Sequence, residues 1–162
     1  VQRINFDALL LAELRAQAQA MKVDWAVVLQ ADAAERTSRH WTNLQRLVQR
    51  TLPALRTALL HSPQPILLVC AGLLARYGLM HLVTELEEHA GRPGHTPSAW
   101  LLLPTSAQGL PTIDGVAVPL VNNINNTRAL ALPQAWVENK HRAKTGPHTA
   151  SPAGSHASPS AA

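Results

Sequence analysis

Cys70 and Arg76 are separated by five residues, at a point where an apolar run passes into helix-like sequence. Cysteine phosphatases use that spacing to set a thiolate at a helix N-terminus, where backbone N–H groups and a guanidinium hold a phosphate. Here the intervening Ala71, Gly72, Leu73, Leu74 and Ala75 offer no polar support, and Val69 stands where a histidine is usual. The plainer expectation is a buried core cysteine and a surface arginine. A second set, His81, Glu85 and His89, falls at successive i+4 positions with Glu88 beside it. That spacing puts three metal-ligand types on one helix face. The face lies opposite an apolar stripe and so reads as solvated, whereas a zinc site needs a closed ligand set with supporting partners; no metal is expected.

The third set is cationic. Arg36, Arg39, Arg46, Arg50 and Arg56 occupy a stretch with no acid after Glu35, and Arg39, Arg46 and Arg50 share one helix face. Such a row suits phosphates or an acidic partner, against the plain alternative of a solvated face. Trp41 is the lone aromatic in it, which weakens the case for single-stranded nucleic acid. Asp32, Thr105 and Ser106 follow proposed strands and would stand at the carboxyl edge of a sheet, where open α/β folds hold ligands. With Cys70 and Arg76, Asp32 and Ser106 are the candidates for a pocket, although turn or cap duty explains Asp32, Ser106 and Asp114 as well. No Gly-x-x-x-x-Gly-Lys, Gly-x-Gly-x-x-Gly or Gly-x-Ser-x-Gly motif occurs, nor do the His-Arg-Asp and Asp-Phe-Gly kinase signatures. Phosphoryl transfer by either familiar machinery is therefore not expected, and no cofactor is.

The elements that would position these groups alternate. Phe6, Leu10, Leu14, Ala18 and Met21 recur at helical spacing, with Asn5 or Asp7 to cap, and predict a helix over 6–22. Trp25 to Leu29 reads as a short buried strand, although Asp24 could instead cap a helical turn. Leu44, Val48, Leu52, Leu55 and Leu59 predict a helix from about 40 to 60, kinked or divided at Pro53. Pro65 to Cys70 has the pattern of a strand buried on both faces. A third helix carries Leu79, Leu82, Val83, Leu86 and Ala90 and stops at Gly91 and Pro93. Trp100 to Leu103 is a further strand, Val116 to Val121 follows the Asp114-Gly115 turn as a hairpin or edge strand, and Ala129 to Leu132 adds another. Pro133 then opens a short helix with Trp136 and Val137. This rhythm predicts an α/β, three-layer domain with a short, mostly parallel sheet flanked by helices over 1–143, followed by a disordered tail over 144–162 that has nothing to bury.

At 162 residues with 46% hydrophobic residues, the chain can bury one core. No apolar run approaches the roughly 18 residues needed to cross a bilayer, so no membrane partner is expected. A single cysteine excludes an internal disulfide, and Val1 to Asp7 does not read as a secretory signal; both suit the expectation of a reducing, cytoplasmic setting. The net charge of +4 looks nucleic-acid-like, but Lys140, Arg142 and Lys144 sit in or beside the tail and the rest is nearly neutral.

Four stretches carry a resemblance: residues 23–34 around Val23-Asp24-Trp25, Gly72-Leu73-Leu74-Ala75-Arg76-Tyr77, Trp100-Leu101-Leu102-Leu103-Pro104, and residues 110–119 around Ile113-Asp114-Gly115. Over about 5–142 the sequence resembles the C-terminal end of large actinobacterial phage-defence proteins of the Pgl, or type 2 BREX, system, nearest its serine/threonine kinase component and second its large ATPase. The resemblance implies a parent whose ATP-binding kinase or ATPase domain lies upstream, which suits a start at Val1. It transfers no functional residue, since none of the matching stretches is a catalytic motif. The expectation is a non-catalytic module that assembles with other defence-system proteins, or meets nucleic acid, through Arg39, Arg46 and Arg50. The alternative is a small enzyme or nucleotide- or nucleic-acid-binding domain at the sheet's carboxyl edge.

Overall fold

A computed structural model describes residues 1–104, 111–119, 130 and 132–138. It divides into two compact units, Val1–Asn126 and Thr127–Ala162. In the first, β1 (Gln2–Asn5), β2 (Ile66–Val69) and β3 (Ala99–Leu101) form a parallel sheet in the order β1-β2-β3. Ile4 pairs with Leu68 and Leu68 with Leu101, while Arg3 pairs with Leu67 and Leu67 with Trp100. Helices α1 (Phe6–Ala20), α2 (Trp25–Ala33) and α3 (Arg39–Leu60) connect β1 to β2; α4 (Gly72–Arg76) and α5 (His81–His89) connect β2 to β3. A hairpin of β4 (Thr112–Ile113) and β5 (Val116–Ala117) turns at Asp114-Gly115, both at positive φ. The parallel sheet flanked by helices is the fold class the alternation predicts. In the second unit, α6 (Gln134–Val137) carries the expected Trp136 and Val137. The proposed strand over 129–132 and the proposed tail from 144 lie largely or wholly outside the described residues.

Helices α1, α2 and α3 each start where a side chain satisfies an orphan N–H group. Asn5 Oδ1 accepts from the Ala8 N–H at 3.0 Å, Asp24 Oδ1 from Ala26 at 2.9 Å, and Ser38 Oγ from Trp41 at 3.1 Å. The Asp24 cap corrects one expectation: residues 25–33 are helix, not strand. A short apolar run carries no periodicity that tells the two apart, and Ala26, Leu29, Ala31 and Ala33 favour a helix once a cap is present. Pro53 does not divide α3, which runs unbroken for 22 residues. Pro53 sits on the exposed face, so the carbonyl it strips of a partner, that of Gln49, lies toward water, and the Thr57 hydroxyl donates to the Pro53 carbonyl at 3.0 Å.

The core is a sandwich of helix rows on the sheet. Phe6, Leu10, Leu14 and Ala18 of α1 meet Leu44, Val48, Leu55 and Leu59 of α3, and Ile66 and Leu68 rise from β2 beneath them. Leu74, Leu79, Leu82 and Leu86 close the second crossover. The wholly buried Thr96 ties α3 to the loop before β3. Its hydroxyl donates to the Leu59 carbonyl at 2.6 Å and accepts from the Ser62 N–H at 3.0 Å, while its own N–H donates to the Leu60 carbonyl at 2.7 Å. Two orphan carbonyls at the end of α3 are thereby satisfied.

Candidate interaction surface

Removing the expected strand at 25–29 moves Asp32 from the sheet edge to the last turn of α2. There it meets Arg76. Arg76 Nε donates to Asp32 Oδ1 at 2.8 Å, a terminal guanidinium nitrogen donates to the Asp32 carbonyl at 2.9 Å, and the Tyr77 hydroxyl donates to the same Oδ1 at 2.9 Å. Burial, and then this hydrogen bond to a carboxylate, push the Tyr77 hydroxyl up to about 12. Tyr77 stacks on Trp41 at 5.9 Å between centroids, and the Arg76 and Arg36 guanidinium carbons lie 5.9 and 5.5 Å from the Trp41 ring centroid. Two of the predicted pocket residues thus come together, but as a clasp that joins α2, α3 and α4.

Cys70 is exposed, which overturns the expectation of a buried core residue. The ladder ends at Val69, and Cys70 turns the chain at a φ of 51° while its carbonyl accepts from the Asp7 N–H at 3.0 Å. Its side chain therefore leaves the strand instead of continuing into the core. Thr105 and Ser106 lie outside the described residues. A cavity of about 370 Å³ is lined by Arg15, Ala18, Gln19, Val23 and Trp25, and none of the predicted pocket residues lines it.

At the carboxyl end of β1 stands Asp7, one of the two residues expected to cap the first helix. Its Oδ1 accepts from the Leu73 N–H at 2.9 Å, and the Asp114 carboxylate approaches across Gly72, where a Cβ would sit 3.1 Å from Asp114 Oδ2. Burial and the Asp114 charge raise the Asp7 carboxyl against the lowering effect of hydrogen bonds from Leu73 and Gly72. The strand that places it reads Gln2-Arg3-Ile4-Asn5, with one buried residue, so no apolar pattern announces it.

On α5, Glu85 is taken by α3: Arg56 grips it through two hydrogen bonds of 2.8 and 2.7 Å, which hold the carboxyl below its ordinary range. His89 Nδ1 lies 2.8 Å from the Glu85 carbonyl, and His81 is exposed. Among the described residues no three His, Cys, Asp or Glu side chains are arranged to hold a metal ion.

Arg39, Arg46 and Arg50 are all exposed and share one face of α3. None is in an ion pair among the described residues; the only polar contact is Arg46 to Asn43 Oδ1 at 3.4 Å. Apolar side chains are also left open. Val27 and Leu29 on α2 are 49% and 54% exposed, and Trp100 on β3 is 58% exposed. The readable signal for α2 was its apolar character on every side, which in a helix with one packed face leaves apolar residues outside.

The described residues thus define an α/β domain in which Arg76 and Arg56 are each held by a carboxylate and α3 carries three exposed arginines in no ion pair. The chain is similar to the Probable kinase PglW of Streptomyces coelicolor, 29% identical over 150 residues that cover 87% of this chain and 9% of that protein. That similarity agrees with the resemblance to the kinase component of the Pgl system. The chain spans less than a tenth of the length of this relative. No protein-family model matches the chain, and no solved structure does.

Proposed function

We propose that this chain is a non-catalytic, C-terminal module of a phage-growth-limitation, or BREX-type, serine/threonine kinase, working in the cytoplasm and joining its parent to the other components of the defence system. One observation carries the reading: similarity to a Pgl kinase spans most of this chain and little of that protein. The chemistry of the described residues supports it. Asp32 and Arg76 hold each other, Glu85 holds Arg56, and Arg39, Arg46 and Arg50 line up on the exposed face of α3. An interaction module needs an exposed patch, whereas an enzyme needs convergent groups in a cleft. ATP binding belongs, on this reading, to the parent's kinase domain.

The test is co-purification in cells that carry the other Pgl components. The tagged chain is expected to bring down the large ATPase or a further component other than its parent kinase, and phage protection is expected to fall when the chain is deleted from its parent gene. Association with neither component, together with hydrolysis of an aryl phosphate that Cys70→Ser abolishes, overturns the module in favour of an enzyme. No helix among the described residues is long and apolar enough to cross a membrane, which is compatible with that setting.

A further inference from the structure

Helix α3 presents Arg39, Thr42, Asn43, Arg46, Gln49 and Arg50 to solvent. At about 100° per residue they occupy an arc of roughly 120°, and the three arginines span about 16 Å of helix. The helix contains no acid, and its fourth arginine, Arg56, is turned sideways onto Glu85. The outward row therefore keeps its charge uncompensated by any ion pair among the described residues.

We infer that this face binds the phosphate backbone of duplex DNA without reading its sequence. The inference rests on taking α3 as the contact surface of the module. Three observations select the partner. Arginines on one face, separated by amide and hydroxyl side chains, are the donor types that hydrogen-bond phosphate oxygens. The row has no apolar anchor, because Trp41 is only 8% exposed and lies on the inner side of α3. A protein interface is built around such an anchor, and its absence disfavours an acidic protein. Single-strand binding needs exposed aromatic platforms for the bases, and none stands in the row.

The test is fluorescence anisotropy of the full chain with a labelled mixed-sequence duplex of about 20 base pairs, titrated at several salt concentrations. It is run in parallel on a Lys140→Gln, Arg142→Gln, Lys144→Gln background that removes the tail cations. On that background binding is expected with a log-log salt slope of about -3, since each neutralised phosphate releases about one condensed counterion. Each of Arg39→Gln, Arg46→Gln and Arg50→Gln should reduce the slope by about one. Reversing all three to Glu should weaken binding at least about 100-fold, with the helical circular dichroism retained because the positions lie off the core. Should the triple variant lose its helical signal, the three single variants decide. Binding that survives these changes, or none at low salt, overturns the inference. Tighter binding of polyglutamate than of the duplex also overturns it, while leaving the contact surface itself in place.

Discussion

Cys70 shows how one backbone angle redirects a side chain. Left-handed conformation costs a residue with a Cβ about 1 kcal/mol, and Cys70 holds a φ of 51° so that its carbonyl can meet the Asp7 N–H. Cys70→Gly is therefore expected to raise stability by up to about 1 kcal/mol in urea unfolding, and a fall would mean that the thiol makes a contact worth more than the strain. In the folded chain a thiol reagent should modify Cys70 fully without denaturant, because the side chain is exposed. Asp7 is the electrostatic counterpart. Its carboxyl binds a proton more tightly in the folded chain than its ordinary value of 3.8, by burial first and by Asp114 second. The ionised form thus opposes folding: that cost is absent below the ordinary value and complete once pH has risen through the folded one. Asp7→Asn keeps an oxygen to accept from Leu73 and removes the charge. Its melting temperature should exceed the parent's near pH 7 and equal it near pH 3; the reverse order would show that the charge is needed there.

Among the elements, α3 bears most of the architecture and supplies two further tests. Pro53 sits inside it without a break, so Pro53→Ala should restore a backbone hydrogen bond and stabilise by about 1 to 2 kcal/mol, the helix gain less the unfolded-state entropy that proline removes. Thr96→Val at the far end of α3 should cost about 2 kcal/mol, since the Leu59 carbonyl and the Ser62 N–H then stay buried without this partner. An unchanged midpoint in chemical denaturation would mean that water replaces the hydroxyl. The same elements mark what could be read in advance. Helices α1, α3 and α5 and strand β2 were legible because each shows either a clean 3.6-residue row or a bounded apolar run. Helix α2 was not, because five consecutive apolar residues suit both states until a cap decides. Strand β1 was invisible because it buries only Ile4 and is held by pairing with a segment far along the chain. The candidate site divided in the same way. The Arg39, Arg46 and Arg50 row follows from helical spacing alone, whereas the meeting of Asp32 with Arg76, 44 positions apart, depends on tertiary packing that no local pattern encodes.

For the molecule entire, the notable asymmetry is between a closed interior and an open exterior. Val27, Leu29 and Trp100 are about half exposed, while Arg76 and Arg56 are each tied to a carboxylate. Val27 and Leu29 stand on α2 and Trp100 on β3, and apolar side chains exposed singly are ordinary on a protein surface. The same exposure carries a stability expectation. Val27→Lys together with Leu29→Glu should leave the unfolding free energy within about 0.5 kcal/mol of the parent's, as surface substitutions do; a large loss would mean that these two side chains pack against the domain.

The pairing of Gln2 with Ile66 sets a schedule for folding. The first strand leaves the ribosome long before its partner exists, and at about 5 to 20 residues per second it waits several seconds for β2. By the time β2 emerges, α1 and α3 have both been made and can stack on each other. Closing so long a loop costs entropy that only the helical scaffold can recover, so the sheet should zip last. In stopped-flow refolding, Val48→Ala should slow folding, whereas Ile4→Val should chiefly accelerate unfolding. The start of the chain is thus the final part of the domain to find its place.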